Sequence, residues 1–150
     1  MIKLLDHETS AMAEEIYRIF QVSYAVEADL LGAKDFPPLN RTVENFMQSD
    51  TSFFGFSKGA SMAAVIEVEP LPASFHINSL VVDPNYFRQG IASKLLQHML
   101  DLFAGNTITV ETGLANEPAK QLYLRFGFKE AGQYDTEIGI RKIKFIRAYP

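Results

Sequence analysis

The stretch VVDPNYFRQGIASKLLQHML, Val81 to Leu100, carries the features from which the fold can be predicted. A β-branched apolar run ends at an Asp-Pro-Asn turn, and an amphipathic helix begins at Gly90. No Ser, Thr, Asp or Asn stands directly before Gly90 to cap this helix. Because the first four N–H groups of a helix have no partner within it, another group must bind them.

An anionic ligand is one solution, since exposed N–H groups and the helix dipole attract negative charge at a helix start. Gly90 lets the backbone approach a ligand closely, Ala92 keeps the next turn small, and the Arg88 guanidinium suits a phosphate. The alternative is that Asn85 caps a helix starting at Tyr86, which would leave Gly90 without a special role.

Periodicity and turn residues predict alternating strands and helices along the whole chain. Strands are predicted at 2–5, 52–56, 61–68, 75–82, 107–111, 128–131 and 138–146, and helices at 11–25, 43–48, 90–104 and 118–126. The first helix would be capped by Ser10, and Pro70 would end the third strand. A strand–helix–strand–helix–strand order in the second half implies some parallel pairing, so we expect a mixed α/β fold.

Composition bounds the class of protein. A hydrophobic fraction of 47% and a charged fraction of 21% over 150 residues indicate a single globular domain, residues 1–150. The chain has no cysteine, which excludes disulfides and a thiol nucleophile. It has no leader and no run of membrane-spanning length, so we expect a soluble cytoplasmic protein without a membrane partner.

Charge and histidine placement exclude two further classes of site. A net charge of −4 argues against a nucleic-acid partner held by phosphate contacts. The three histidines are far apart and lack metal-ligand spacing, so no metal site is expected. Residues 1–52 hold nine acids against four bases, a balance of −5, which suits a cationic ligand.

A second informative stretch is NEPAKQLYLRFGFKE, Asn116 to Glu130. Asn116, Lys120 and Tyr123 are four and three residues apart, so they can share one face of the predicted helix. Taken alone, Tyr123 has an alternative role as a core aromatic whose hydroxyl is satisfied locally.

Together the two stretches resemble the signatures of the GNAT superfamily of N-acetyltransferases, which transfer an acetyl group from acetyl-CoA to an amine. The family pattern Q/R-x-x-G-x-G/A corresponds to the turn around Gly90, and N-x-x-A-x-x-L-Y-x-x-x-G-F corresponds to the run from Asn116 to Phe128. One departure is Phe87, which stands where the family has Gln or Arg. The resemblance implies the GNAT fold, a mixed central β-sheet of about six to seven strands flanked by about four α-helices.

The resemblance also implies roles for particular residues. Backbone groups of the strand before the turn would hold the thioester carbonyl and pantetheine, the turn would bind the pyrophosphate, and Asn116 would contact the CoA arm. The predicted CoA-binding set is Leu80, Val81, Val82, Arg88, Gln89, Gly90, Ile91, Ala92, Ser93 and Asn116. Tyr123 would protonate the leaving thiolate, since a phenol with a pKa of about 10 is protonated at neutral pH.

The sequence offers more than one candidate for the base that deprotonates the acceptor amine. Counting back from Gly90, His76 occupies the position at which several family members carry a glutamate. A packed or exposed strand histidine is the alternative, as are Ser79 or Glu67 acting through water.

The acceptor itself is predicted from charge. We expect a small-molecule or peptide amine held partly by Glu27, Asp29 or Asp35 in the acidic segment, against the alternative that these acids face solvent. Leu30, Leu31 and Phe36 would supply apolar walls. The competing function is a non-catalytic acyl-CoA-binding or regulatory module, and the sequence leaves the oligomeric state open, a homodimer included.

Overall fold

The computed structural model describes residues 1–148, in which a seven-stranded sheet carries helices on both faces. The strands are β1 (Ile2–Leu4), β2 (Ser52–Lys58), β3 (Ser61–Leu71), β4 (Ser74–Val82), β5 (Thr107–Gly113), β6 (Lys129–Asp135) and β7 (Arg141–Arg147), and their order across the sheet is β1-β2-β3-β4-β5-β7-β6. The helices are α1 (Ser10–Leu31), α2 (Val43–Met47), α3 (Ile91–Leu102) and α4 (Glu117–Arg125). The predicted mixed α/β fold is confirmed.

The parallel pair predicted for the second half lies between β4 and β5, and every other neighbouring pair is antiparallel. The parallel ladder covers Ser74 to Ile77 and Thr107 to Val110. Beyond it β4 continues to Val82 and β5 to Gly113, unpaired with one another. The two strands therefore separate and leave an open wedge in the middle of the sheet.

A β-bulge marks the point of separation. Glu67 pairs with Ser79 and Val68 with Ile77, so Asn78 is an extra residue in β4. The extra residue shifts the alternation of side chains, so that odd-numbered residues before and after the bulge lie on opposite faces of the sheet. Ile77 packs in the cluster with α3 and α4, whereas Val81 packs in the cluster with α1. It also bends β4 away from β5 next to the wedge.

Two apolar clusters hold the layers together. On one face, Leu95 and Met99 of α3 and Leu122 of α4 pack on β3, β4, β5 and β7. On the other face, Phe20 of α1 meets the rings of Phe46 and Phe53 at centroid distances of 4.7 and 6.3 Å. Both walls of the wedge are thus anchored in buried apolar packing.

Helix α1 is longer than predicted. Its N-cap is Thr9, whose hydroxyl accepts from the Met12 N–H at 3.4 Å, rather than Ser10. It continues past Ala25 to Leu31 because no residue interrupts it before Gly32, which ends it in the left-handed conformation with φ 63°. No helix within residues 1–148 is long and apolar enough to cross a membrane.

Two strand boundaries also differ from prediction. β3 passes through Pro70 to Leu71. Its pairing with β2 ends at Val68, so no β2 residue lies opposite Pro70 and the N–H that proline lacks has no partner there to lose. β6 extends to Asp135, and the turn that follows precedes a β7 that begins at Arg141. β6 is an edge strand exposed along most of its length, so its sequence lacks the apolar alternation that predicts a strand.

Candidate active site

A cavity of about 800 Å³ fills the wedge between β4 and β5. Its central walls are Ile77 to Val82 and Val110 to Gly113, which begin at the last paired residues of the ladder and continue into the segments that separate beyond it. Residues of α1 and the segment after it close one side, and the first turn of α3 and one face of α4 close the other. The sheet topology therefore places the cavity at the one parallel junction of the described residues.

The N-terminus of α3 opens onto this cavity without a side-chain cap. The helix begins at Ile91, and its N-cap is Gly90 with φ 73°. The preceding turn is held separately: the Asp83 carboxylate accepts from the Asn85 N–H at 2.9 Å and from the Arg18 guanidinium at 2.9 Å. The alternative in which Asn85 caps a helix starting at Tyr86 is therefore wrong.

Cationic and polar side chains surround this helix start. Arg88 and Ser93 line the cavity, and Arg125 at the end of α4 donates to the Ser93 hydroxyl at 3.3 Å. Ile91 and Ala92 also line it. Free N–H groups beside two guanidinium groups form a donor set that fits a pyrophosphate.

Gln89 is placed differently from the rest of the predicted turn. Its side chain lies outside the cavity lining, where the amide oxygen accepts from the Lys58 ammonium at 2.7 Å. Its side chain therefore holds the turn against the β2–β3 hairpin, and a CoA contact by Gln89 stays a prediction for its backbone.

The open edge of β4 presents backbone donors to the cavity. The Asp83 N–H donates to the Ala63 carbonyl on β3 at 2.8 Å. Because backbone groups alternate between the two edges of a strand, the N–H groups of Leu80 and Val82 point to the opposite edge, where β5 has separated. These two N–H groups are positioned to bind a carbonyl oxygen or an extended amide chain.

Tyr123 reaches the cavity from α4. Its side chain is 4% exposed and packs against Phe128 and Phe145 at ring distances of 5.4 and 5.8 Å. Its hydroxyl makes no hydrogen bond to another described residue. No buried side-chain oxygen of the described residues lacks a partner, so this hydroxyl is open to the cavity that the residue lines. Burial raises the pKa of Tyr123 above its ordinary value, with smaller contributions from Tyr24 and the Glu27 carboxylate.

Asn116 joins the two sides of the cavity. Its side-chain oxygen caps α4 by accepting from the Ala119 N–H at 3.3 Å, and its amide donates to Glu27 Oε1 on α1 at 2.8 Å. Thr112 of β5 donates to the same Glu27 oxygen at 3.3 Å. The Asn116 side chain is thus bound within the protein, and its contact with CoA stays a prediction.

The α1 side of the cavity combines apolar and polar groups. Leu30 and Phe36 line it as predicted, while Leu31 instead packs against Gly113. Tyr24 donates its hydroxyl to Ser79 Oγ at 2.9 Å, and burial together with the Glu27 charge raises the pKa of Tyr24. This side can therefore hold an amine next to an apolar body.

Of the three acids predicted to bind the acceptor, Glu27 alone lines the cavity. Asp29 and Asp35 are exposed and lie outside the lining, so the structure brings neither of them to the cavity. Asp29 is two residues from Glu27 on α1, which turns it about 200° around the helix axis. Asp35 lies in the loop after α1, with φ 51°.

The structure does not bring His76, the predicted base, to the cavity either. It lies on the paired part of β4, where its Nδ1 is 2.7 Å from Thr109 Oγ1, and it does not line the cavity. Glu67 is 1% exposed, and both of its carboxylate oxygens accept from the Arg41 guanidinium, at 2.7 and 2.8 Å. Neither group is placed to take a proton from an acceptor.

The lining residues that were not predicted include the polar and charged residues Tyr24, Arg41, Glu111, Arg125 and Lys142. Tyr24 stands one helical turn before Glu27, and that spacing could have identified it. Glu111 and Lys142 required the β5–β7–β6 register, which brings the Tyr134 hydroxyl to the Glu111 carboxylate as a donor. That bond raises the pKa of Tyr134 to about 12.

The sequence of this chain is similar to that of known acetyltransferases. The model of the acetyltransferase (GNAT) family matches residues 13–128. The UPF0157 protein YqkA of Bacillus subtilis is 33% identical over 132 residues, covering 87% of this chain and 38% of that protein. The matched segments cover less than half of the length of this relative and of two mycobacterial relatives.

Two further proteins have similar sequences or folds. The [ribosomal protein bS18]-alanine N-acetyltransferase of Escherichia coli is 31% identical over 104 residues, covering 65% of this chain and 70% of that protein. The crystal structure of the E. coli enzyme matches 99% of this chain and 93% of its own with a TM-score of 0.78 at 24% identity. The PaiA N-acetyltransferase of Thermoplasma acidophilum, solved with coenzyme A, matches 96% and 98% with a TM-score of 0.72 at 14% identity.

Proposed function

The chain belongs to the GNAT acetyltransferase family, and we propose that it transfers an acetyl group from acetyl-CoA directly to a primary amine. The observation that carries the proposal is a single cavity into which an uncapped helix start, an open strand edge and the Tyr123 hydroxyl all point. A cleft without a chemical role would not require an unbound tyrosine hydroxyl in its lining.

The residues present fit acetyl-CoA, which supplies an activated thioester when bound. The N–H groups at the start of α3, with Arg88 and Arg125, would hold its pyrophosphate. The N–H groups of Leu80 and Val82 would bind the amide arm and the thioester carbonyl. The cationic donors are thus assigned to the anionic pyrophosphate of acetyl-CoA, and the neutral N–H groups to its uncharged arm and carbonyl.

The transfer requires one proton donor and one proton acceptor. The amine nitrogen bonds to the carbonyl carbon as the carbon–sulfur bond breaks, and Tyr123 gives its proton to the departing thiolate. The incoming ammonium first loses one proton to one of the two carboxylates of the acceptor side, Glu27 or Glu111, directly or through water. The second proton, which the nitrogen loses as the amide forms, restores the Tyr123 phenol. No covalent nucleophile is required.

A screen for amine-dependent release of CoA thiol from acetyl-CoA tests the proposal. Because the E. coli relative acetylates the alanine of a ribosomal protein, the screen should include peptides with free N-termini as well as small amines. Thiol release with at least one amine supports the transferase. Tight CoA binding without release for any amine would favour the acyl-CoA-binding module.

Gly90→Val should weaken CoA binding at least about tenfold, about 1.4 kcal/mol. A Cβ at Gly90 meets no atom within 4 Å, so the valine would occupy the space where the ligand approaches. Gly139→Val is the matched control, because Gly139 has a φ of 80° and equal space but lies outside the cavity lining. Calorimetric titration gives both dissociation constants, and melting temperatures compare the folding penalties.

Equal CoA affinity in folded Gly90→Val and wild-type protein would remove the α3 start from the CoA site. Equal losses in the two glycine variants would assign the effect to backbone strain.

The pH dependence of turnover should show no falling limb up to about pH 10. Burial raises the pKa of Tyr123, so its proton is retained at pH values at which an exposed tyrosine ionises. Turnover at saturating substrates should rise as the acceptor ammonium loses its proton and then stay level. A decline below pH 9 that vanishes in Tyr123→Phe would contradict the raised pKa.

A further inference from the structure

Lys142 lines the cavity, but the proposed transfer gives it no role in binding CoA or in moving a proton. It lies on β7, opposite Gly113 of β5 and Tyr134 of β6. It is half-buried and lines the cavity, and it forms no ion pair with any residue from 1 to 148. A partly desolvated ammonium without a counter-ion is a favourable place for an anionic group.

The face of the sheet assigns Lys142 to the acceptor rather than to CoA. Its neighbour Ile143 packs in the cluster with α3 and α4. Because side chains alternate along a strand, Lys142 lies on the opposite face, the one that carries α1. The cations next to the α3 start, Arg88 and Arg125, belong to the other side of the cavity.

The remaining charges of the cavity leave this role to Lys142 alone among the described residues. The Arg41 guanidinium is bound to both oxygens of Glu67. Glu27 accepts the Asn116 and Thr112 bonds through Oε1, and no described donor binds its Oε2. The Glu111 carboxylate also lines the cavity and accepts from the Tyr134 hydroxyl through Oε1. The acceptor side therefore offers the carboxylates of Glu27 and Glu111 for an ammonium and the Lys142 ammonium for a carboxylate.

We propose that Lys142 binds a carboxylate of the acceptor, so that the acceptor carries an amine and a carboxylate in one molecule. This inference rests on the proposed acetyl transfer and narrows its substrate class. It excludes polyamines and other purely cationic amines as preferred acceptors. Two sources share the required chemistry: a free amino acid, and a peptide whose N-terminal residue has an acidic side chain.

Paired acceptors that differ in the carboxylate test this directly. Leucine and leucinamide form the first pair, since Leu30 and Phe36 suit an apolar body. Asp-Ala-Ala-amide and Asn-Ala-Ala-amide form the second. In one of the two pairs, kcat/KM of the acid should exceed that of the amide at least about tenfold, and that pair identifies the source.

Lys142→Gln should abolish this preference by raising the KM of the acid and not that of its amide. Lys142→Arg should retain it, and the KM for acetyl-CoA should stay unchanged in both. Lys144→Gln is the matched control, because Lys144 is on the same strand and face but lies over the Tyr134 ring, 5.0 Å from its centroid, outside the cavity lining.

Three results would overturn the inference. If the wild-type protein has equal kcat/KM for the acid and the amide in both pairs, the inference is overturned and the proposed transfer is not. A Lys142→Gln effect on the KM for acetyl-CoA would assign the lysine to the CoA side. Absence of thiol release with every amine would overturn the proposed function and this inference with it.

Discussion

Tyr123→Phe should lower turnover about 100-fold or more while CoA affinity stays close to the wild-type value. The substitution deletes one hydroxyl and retains the ring, which packs against Phe128 and Phe145. Because the hydroxyl has no hydrogen-bond partner among the described residues, its removal leaves no other group unpaired. The effect should therefore fall on the protonation of the leaving thiolate and not on folding.

The measurement is kcat with saturating acetyl-CoA and acceptor, together with CoA titration and a melting curve. Tyr17→Phe deletes the same group outside the cavity and should leave all three unchanged. Turnover in Tyr123→Phe within about threefold of wild type would exclude Tyr123 as the proton donor, since general acids contribute far more than that.

Arg41→Met should destabilise the protein by about 3–5 kcal/mol, the largest loss expected for a single exchange at an ion pair. The Arg41 guanidinium binds both oxygens of Glu67, which is 1% exposed, and lies 4.3 Å from the centre of the Phe46 ring. The variant leaves a buried carboxylate with one remaining donor, the Thr51 hydroxyl at 2.7 Å. An uncompensated charge in this place costs more than the lost contacts.

Urea denaturation of the single and double variants separates these contributions. Arg41→Met combined with Glu67→Gln should recover most of the loss, because the amide carries no charge to leave uncompensated. Arg141→Met breaks an exposed pair with Asp135 and should cost less than about 1 kcal/mol. A cost for Arg41→Met no larger than that of Arg141→Met would show that the pair contributes little.

The fold was predictable because its signals are local. The uncapped start of α3 follows from residues within a few positions of Gly90, and the parallel pair follows from the order of strands and helices. The edge strand β6 was partly missed, since an exposed strand needs no apolar alternation. Apolar periodicity in a sequence reflects which side chains are buried. It is therefore a weak signal for strands and helices that bury few side chains.

The candidate site was predictable only where it coincides with a local motif. The His76 placement failed because counting along β4 does not reveal where β5 separates from it. Asp29 failed because the predicted helix ended too early to show which face Glu27 occupies. The bond between Asn116 and Glu27 joins residues 89 positions apart, and no local pattern encodes such a contact.

The short parallel ladder between β4 and β5 has a consequence for the cooperativity of the molecule. It joins an antiparallel unit of β1 to β4 to another of β5 to β7 over Ser74 to Ile77 and Thr107 to Val110. Separation of the two units, a subglobal opening from which amide hydrogens would exchange, breaks few interstrand bonds. It also divides the apolar cluster that α3 and α4 form on β3, β4, β5 and β7, so this packing rather than the ladder sets its free energy. A ligand in the wedge contacts both units and binds the closed state alone, which makes that opening rarer as the site fills.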